Sequence, residues 1–153
     1  MESLEIVNEV LRNDALRCGI CSDFYDPWEG YNKNRQELVK MFFAGLDFCI
    51  DHHFPQKEKI KKFFPADFLR KNNILVDDKF SLLNPRYAVL IGNSESTIRY
   101  NGITVAQLYL LDEAKAEVAV KGQAHVIIHV HDRAQVNIVE CESPNKPMVI
   151  RNK

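Results

Sequence analysis

The chain has 153 residues, 46% of them hydrophobic and 27% charged, and this composition is typical of a globular protein and argues against disorder. Its 20 basic and 21 acidic side chains nearly cancel, so the basic excess typical of nucleic-acid-binding proteins is missing. No apolar run approaches the roughly 18 residues that a membrane-spanning helix needs.

The start of the chain predicts its compartment. Residues 1–5 are acidic and favour a helix, and they lack the basic start and apolar core of a secretory signal peptide. We therefore expect a cytoplasmic protein. In that compartment its cysteines are expected to be reduced; they are Cys18, Cys21, Cys49 and Cys141.

The N-terminal part is predicted to be helical. Apolar residues recur at helical spacing from residue 3 to residue 16, and Ser3 is placed to cap that helix. The segment 18–31 is interrupted by Pro27 and Gly30, which predicts one helical turn followed by a loop. Its aromatic side chains are expected to pack against the helices; they are Phe24, Tyr25, Trp28 and Tyr31.

The clearest helix signal begins at Asn34. Asn34 and Glu37 have the spacing of a capping box, and apolar residues then recur every three or four positions. One helix is predicted as far as His53, because the residue before Pro55 is pushed away from helical geometry. Two short helices are expected after it, each with a proline in its first turn. Residues 1–72 are thus predicted to form a small helical bundle.

After residue 72 the pattern changes to short strands. β-branched and alternating apolar residues occur in 74–76, 80–83, 87–91 and 97–100, with turn-forming residues between them. Residues 73–153 are therefore predicted to form a β subdomain, which places the whole chain in the α+β class.

A ten-residue repeat runs from about residue 94 to residue 143. Small or apolar side chains occupy its even-numbered positions, so they share one face of each strand. Their size grows along the strand, from Ser94, Thr104, Ala114, Ala124 and Ala134 in the first column to Tyr100, Leu110, Val120, Val130 and Glu140 in the fourth. A ten-residue period keeps the same face inward in every repeat.

Two architectures fit this repeat. In a short β-solenoid the strands stack in parallel, and each ten-residue unit is part of one coil. In an antiparallel meander, three-residue turns with Gly122 in the left-handed conformation join neighbouring strands. The small residue that opens each repeat favours the solenoid, because it lets a turn close tightly.

The odd-numbered side chains are expected to share the opposite face and to form a partner surface. They are more apolar and aromatic than a solvated face needs, which indicates that the helical half, a second copy of the chain or another protein covers them. The residues assigned to this surface are Tyr109, Glu117, Ile127, His129 and Val139.

Three histidines on that face define an alternative, metal-binding site. His125, His129 and His131 fall on one predicted strand. Since His129 and His131 are two residues apart, they can share a transition metal such as zinc. The spacing reveals no fourth ligand, and a solvated strand face that tolerates histidine explains the same pattern.

Other motifs are weaker or missing. Cys18 and Cys21 have C-x-x-C spacing, but no second pair completes a zinc site and no preceding strand supports a redox site. Cys21 and Cys49 are instead predicted to be small core residues. The sequence contains no phosphate-binding glycine loop, nucleophile elbow or H-E-x-x-H motif, so no catalytic residue is assigned.

Three segments carry a resemblance: Gly-Ile-Cys-x-x-Phe at 19–24, Gly-Leu-Asp-Phe-Cys-Ile-Asp-His-His-Phe-Pro at 45–55, and Asn-Pro-x-x-x-x-Leu-Ile-Gly-Asn-Ser at 84–94. With the Asp-x-Ala-x-Val repeats that follow, the chain resembles small bacterial proteins of phages and mobile elements, which have a helical N-terminal half and a β-repeat C-terminal half. The resemblance implies an accessory protein that binds a host or defence protein, as anti-CRISPR inhibitors do, and it brings no catalytic residues.

Two functional hypotheses follow. The first is a non-enzymatic protein-interaction module that binds a partner or itself through the β-repeat face, with no cofactor, no membrane and no nucleic acid as direct ligand. The second is a metal-binding protein or metalloenzyme that uses the strand histidines.

Overall fold

The computed structural model describes residues 2–28 and 33–152, so the predicted loop residues Gly30 and Tyr31 lie outside the described part. Helices occupy the N-terminal half and a parallel β-solenoid the C-terminal half, which confirms the α+β class. The chain divides into two compact units between Pro65 and Ala66. Among the described residues, no helix is both long and apolar enough to cross a membrane.

In the described residues of the first unit, 2–28 and 33–65, there are five helices: α1 (Leu4–Arg17), α2 (Ser22–Tyr25), α3 (Arg35–Ala44), α4 (Leu46–His52) and α5 (Lys57–Phe63). The predicted caps are present, since Ser3 accepts a hydrogen bond at the start of α1 and Asn34 and Glu37 form a capping box on α3. The single helix predicted from residue 34 to His53 is wrong, because Gly45 ends α3 and begins α4. Glycine costs about 1 kcal/mol inside a helix, which makes it a natural break point.

The core of this unit is organised around a buried asparagine. Asn8 donates from Nδ2 to the carbonyl oxygens of Leu4, at 2.7 Å, and Lys33, at 2.8 Å. Its Oδ1 accepts from Trp28 Nε1 at 2.7 Å. Trp28 is therefore buried, as predicted for this aromatic residue, with its one polar atom satisfied.

The second unit begins with one more helix, α6 (Ala66–Lys71). Up to residue 152, where the described part ends, nine strands follow: β1 (Ile74–Val76), β2 (Leu82–Leu83), β3 (Tyr87–Ile91), β4 (Glu95–Tyr100), β5 (Thr104–Leu110), β6 (Lys115–Lys121), β7 (Ala124–Val130), β8 (Gln135–Glu142) and β9 (Met148–Arg151). Odd-numbered strands form sheet A, in the order β1-β3-β5-β7-β9, and even-numbered strands form sheet B, in the order β2-β4-β6-β8. All the strand pairs are parallel, so the solenoid prediction is confirmed and the meander is excluded.

One coil of the solenoid takes two ten-residue repeats, one in each sheet. Leu108 pairs with Ile128 in sheet A, and Val118 pairs with Ile138 in sheet B, so like residues stack every twenty positions. The even-numbered side chains point between the sheets as predicted. Their core includes Tyr100, Ala106, Leu108, Leu110, Ala114, Val118, Val120, Ala124, Ile128, Val130 and Ala134.

The corners of the coils are closed by aspartates in the left-handed conformation. Asp112 and Asp132 have φ angles of 55° and 54°. Each carboxylate accepts from the backbone of the coil before it: Asp132 Oδ2 from Asp112 N at 3.0 Å, and Asp112 Oδ2 from Gly92 N at 2.9 Å. Aspartate is one of the few non-glycine residues that tolerates this conformation, so the corner column joins successive coils at positions twenty residues apart.

Helix α6 packs against β1 at the first end of the solenoid. Arg70 of α6 donates two hydrogen bonds of 2.7 Å to the carboxylate of Asp78. These bonds hold the pKa of Asp78 below its ordinary value, because they stabilise the ionised form. The helix that the sequence placed last in the bundle thus belongs to the solenoid unit.

A β-bulge marks the last strand of sheet B. Val118 pairs with Ile138, but the next pair is Ala119 with Glu140, so Val139 is an extra residue. The prediction that Glu140 belongs to the inward column with Val130 is therefore wrong. Glu140 pairs with Ala119, and Cys141 pairs with Val120, whose side chain points inward. A register shift of one residue turns the acidic side chain away from the core.

Candidate functional site

The odd-numbered side chains lie on two faces, not on one. Consecutive strands alternate between the sheets, so odd residues of β5 and β7 point out of sheet A and those of β6 and β8 point out of sheet B. The predicted partner surface is divided accordingly. Tyr109, Ile127 and His129 lie on the outside of sheet A, whereas Glu117 and Val139 belong to sheet B. The prediction of one continuous face is therefore corrected.

The two outer faces differ in charge. We define the sheet A face as those outward residues of sheet A that are not buried: Tyr87, Val105, Gln107, Tyr109, His125, Ile127, His129, Met148 and Ile150. None of these residues is an aspartate, glutamate, lysine or arginine. The outward residues of sheet B, in contrast, include Glu95, Arg99, Lys115, Glu117, Lys121 and Glu140. The outer face of sheet B therefore carries the charges of a solvated surface, whereas the sheet A face presents neutral polar, aromatic and aliphatic groups.

The sheet A face is accessible around its margin. The exposed fraction is 63% for Val105, 58% for Met148 and 48% for Tyr87. At the centre, Tyr109 and His129 are half-buried. Exposed β-branched and aromatic side chains that lie side by side on a flat sheet are a common mark of an interaction surface.

Tyr109, Gln107 and His129 form an ordered cluster at the centre of this face. Tyr109 and His129 are neighbours in the register of β5 and β7, and their rings stack with centroids 4.5 Å apart and planes 6° apart. Gln107 Oε1 accepts from the hydroxyl of Tyr109 at 3.0 Å and is 3.1 Å from His129 Nε2. Since this oxygen is only an acceptor, Nε2 of His129 carries the hydrogen.

The three strand histidines have separate partners. His125 Nε2 lies 3.1 Å from Asn145 Nδ2, and His131 Nε2 lies 3.4 Å from Asn152 Nδ2, while His129 contacts Gln107. Asparagine Nδ2 only donates, so the Nε2 atoms of His125 and His131 are acceptors, whereas Nε2 of His129 donates and has no lone pair for a metal. Within residues 2–28 and 33–152, no three histidine, cysteine, aspartate or glutamate side chains are grouped so as to hold a metal ion.

The cysteines are free thiols in different environments. Cys49 is buried as predicted, and burial is the main reason that its pKa rises to about 12. It is therefore not a nucleophile at neutral pH. The core prediction for Cys21 is wrong, because this residue is exposed at the start of α2, a helix of four residues with no buried side chain.

An open groove on the outside of sheet B was not predicted. Its volume is about 890 Å³, and its lining includes Lys79, Phe80, Glu95, Lys115, Glu117 and Asn137. Lys79 and Glu95 form an ion pair of 3.3 Å, and Glu95 is paired in register with Lys115. The charges thus alternate across neighbouring strands and balance one another, as on a solvated sheet face.

Comparison of the chain with protein-family models, with curated proteins and with solved structures finds no match. The feature of the molecule that bears on function is the contrast in charge between the two faces of the solenoid.

Proposed function

We propose that the chain is a non-enzymatic protein-interaction module that binds another protein through the sheet A face. The observation that carries this proposal is the absence of charged residues from that face, on a solenoid whose other face is densely charged. Removing ionised groups from water is costly. A face without them is the one that another protein covers at the lowest cost.

The chemistry of the face defines the kind of partner. Val105, Ile127 and Met148 offer aliphatic area, and the Tyr109–His129 stack offers a rigid aromatic centre. Tyrosine is enriched among the residues that dominate binding energy in interfaces. The partner surface that fits is apolar at its centre, with few charges and with hydrogen-bonding groups for tyrosine and histidine.

The narrower form of the proposal is that the partner is a host defence protein in the cytoplasm, bound by an accessory protein of a phage or mobile element. Its support is the resemblance of three segments and of the β-repeats to such proteins. The four free cysteines suit a reducing compartment.

Site-specific photo-crosslinking in the producing cells tests the proposal. A benzophenone amino acid replaces Ile127 on the sheet A face in one variant, and Glu117 on the sheet B face in the matched control. We expect one protein to be trapped from position 127 and not from position 117. Trapping of the same proteins from both positions, or of none from position 127, contradicts the proposal.

A further inference from the structure

The last coil of the solenoid ends in two open sheet edges. Within the part of the chain that the structure describes, β8 pairs only with β6 and β9 only with β7. The inward side chains at this end are incompletely covered, since Val136 and Ile138 are partly buried and Val149 is 46% exposed. A solenoid end with unpaired backbone and an open core favours association with another strand.

The backbone groups at this end point outward in a regular pattern. Gln135 N donates to Ala114 O of the preceding strand at 2.9 Å. Because bonding groups alternate along a parallel strand, the N–H and C=O groups of Val136 and Ile138 face the open edge. In β9, Asn152 N donates to Val130 O at 2.8 Å, so Val149 presents its backbone groups in the same direction.

Strand β8 also has opposite charges at its two ends. Arg133 lies two residues before its first residue, in the preceding turn, and Glu140 and Glu142 lie at its far end. A second β8 strand aligned antiparallel to the first reverses this order. It therefore brings the basic end of each copy against the acidic end of the other, whereas a parallel alignment brings like charges together.

We propose that this end of the solenoid binds the same end of a second copy of the chain, with antiparallel β8 strands related by a two-fold axis at Asn137. In this register Val136 lies opposite Ile138 of the second copy. Both residues present outward backbone groups, so they form the hydrogen-bonded pairs of an antiparallel ladder. Asn137 lies opposite Asn137 of the second copy, in the non-hydrogen-bonded position between the two Val136–Ile138 pairs.

The bulge fits the same register. Because Val139 is the extra residue, the alignment beyond it shifts by one position, and Gln135 lies opposite Glu140 of the second copy. Arg133 then lies opposite Glu142 of the second copy, and the two-fold axis repeats this ion pair. The inward side chains of one copy meet the inward side chains of the other, so the two cores join and Val149 is covered.

Sedimentation velocity of the full chain and of two lysine variants tests the dimer. Asn137→Lys places two lysines side by side at the axis, while Thr97→Lys makes the same kind of change on the same rung of sheet B, two strands away. We expect the wild type and Thr97→Lys to dimerise. The dissociation constant of Asn137→Lys is expected to be higher by roughly tenfold or more, because like charges directly opposite destabilise strand pairing.

A charge reversal checks the register. Arg133→Glu is expected to weaken the dimer, and the double variant Arg133→Glu/Glu142→Arg is expected to restore it, because the ion pair is rebuilt with reversed polarity. Asn137→Cys in a Cys141→Ser background is expected to form an intermolecular disulfide under mild oxidation, since cysteines paired at this position have the required spacing.

Three results overturn the proposal. They are a wild-type chain that is monomeric at every concentration, an unchanged dimer dissociation constant for Asn137→Lys, and a double variant Arg133→Glu/Glu142→Arg that dimerises no more tightly than Arg133→Glu. Circular dichroism of each variant distinguishes loss of the dimer from loss of the fold. A dimer disrupted by Val105→Lys and not by Asn137→Lys assigns self-association to the sheet A face and also contradicts the proposal.

Discussion

At the residue scale, Gln107 orients the ring of His129 at the centre of the sheet A face. Its side-chain oxygen contacts both the Tyr109 hydroxyl and His129 Nε2, which fixes the orientation of two stacked rings. Ordered rings lose little side-chain entropy when a partner covers them, and this makes them effective contact residues. The same hydrogen bond places a proton of His129 on Nε2, which leaves that nitrogen without a lone pair for a metal.

The burial of Cys49 has a direct chemical consequence. With a pKa of about 12, this thiol stays protonated at pH 8, where an exposed cysteine is partly thiolate. We expect a thiol-specific disulfide reagent to modify the exposed Cys21 and Cys141 rapidly in the native chain, and Cys49 only after unfolding in denaturant. Rapid modification of Cys49 in the native chain, detected by mass spectrometry of its peptide, contradicts this assignment.

At the element scale, the corner aspartates determine how coils are joined. Asp112 occupies a left-handed position and links to the coils on both sides, through its carboxylate to Gly92 and through its N–H to Asp132. Alanine loses the carboxylate bond and tolerates this backbone poorly, whereas asparagine keeps a side-chain oxygen and tolerates it well.

We therefore expect Asp112→Ala to lower the free energy of unfolding by about 1–3 kcal/mol, from one lost hydrogen bond and the unfavourable backbone conformation. Asp112→Asn is the matched control and is expected to remain within roughly 0.5 kcal/mol of the wild type. Urea denaturation measures both. Equal losses in the two variants indicate that the carboxylate charge, not the conformation and hydrogen bond, is what matters at this corner.

The contact between α6 and the first turn of the solenoid predicts a pH dependence. The pKa of Asp78 is lowered in the folded chain, mainly by its hydrogen bonds with Arg70. A carboxyl group of this kind contributes stability above its unfolded-state pKa of about 4, and the contribution is lost as the pH falls through the lower folded-state pKa.

Asp78→Asn is expected to lower the melting temperature at neutral pH and to narrow its difference from the wild type as the pH falls below about 4. Asp67→Asn, which alters a carboxylate in the first turn of α6, the helix that carries Arg70, is the control and is expected to show a smaller effect. Thermal melts across this pH range provide the comparison. A difference between Asp78→Asn and the wild type that stays constant from neutral to acid pH contradicts the assigned role of the ion pair.

Most of the solenoid could be predicted from its repeat, because inward residues must recur with the strand period. The small residues at the corners and the choice of parallel stacking follow from that constraint, whereas the strands at 74–76 and 87–91 precede the repeat and were predicted from their β-branched and apolar residues. The bulge at Val139 could not, since only the register with β6 reveals that one residue is extra. The break at Gly45 was missed because the apolar spacing continues through it.

At the scale of the whole molecule, the alternation of strands between sheets explains why the predicted surface was only partly right. Ten-residue periodicity fixes which side chains point outward, but it does not show on which side of the solenoid they lie. Tyr109, Ile127 and His129 remain together because β5 and β7 are neighbours in sheet A. Glu117 and Val139 are separated from them because β6 and β8 belong to sheet B.

The surfaces of the solenoid unit therefore differ in their proposed roles. Helix α6 covers its first end, the charged face of sheet B is solvated, and the sheet A face is proposed to bind a partner. The open end at β8 and β9 is proposed to bind a second copy. These two surfaces meet at β9, but β5 belongs only to the first and β8 only to the second, so substitutions in β5 or in β8 are expected to affect one surface and leave the other intact.

Isothermal titration of the purified chain with the protein that is trapped from position 127 measures binding at the sheet A face directly. Val105→Lys places a charge in the most exposed aliphatic position of the sheet A face, and Thr97→Lys places the same charge on sheet B. We expect the affinity of Val105→Lys to fall by roughly tenfold or more, from the desolvation of one buried charge, while Thr97→Lys binds like the wild type. Wild-type affinity for Val105→Lys, or an equal loss in both variants, would rule out the sheet A face as the binding surface.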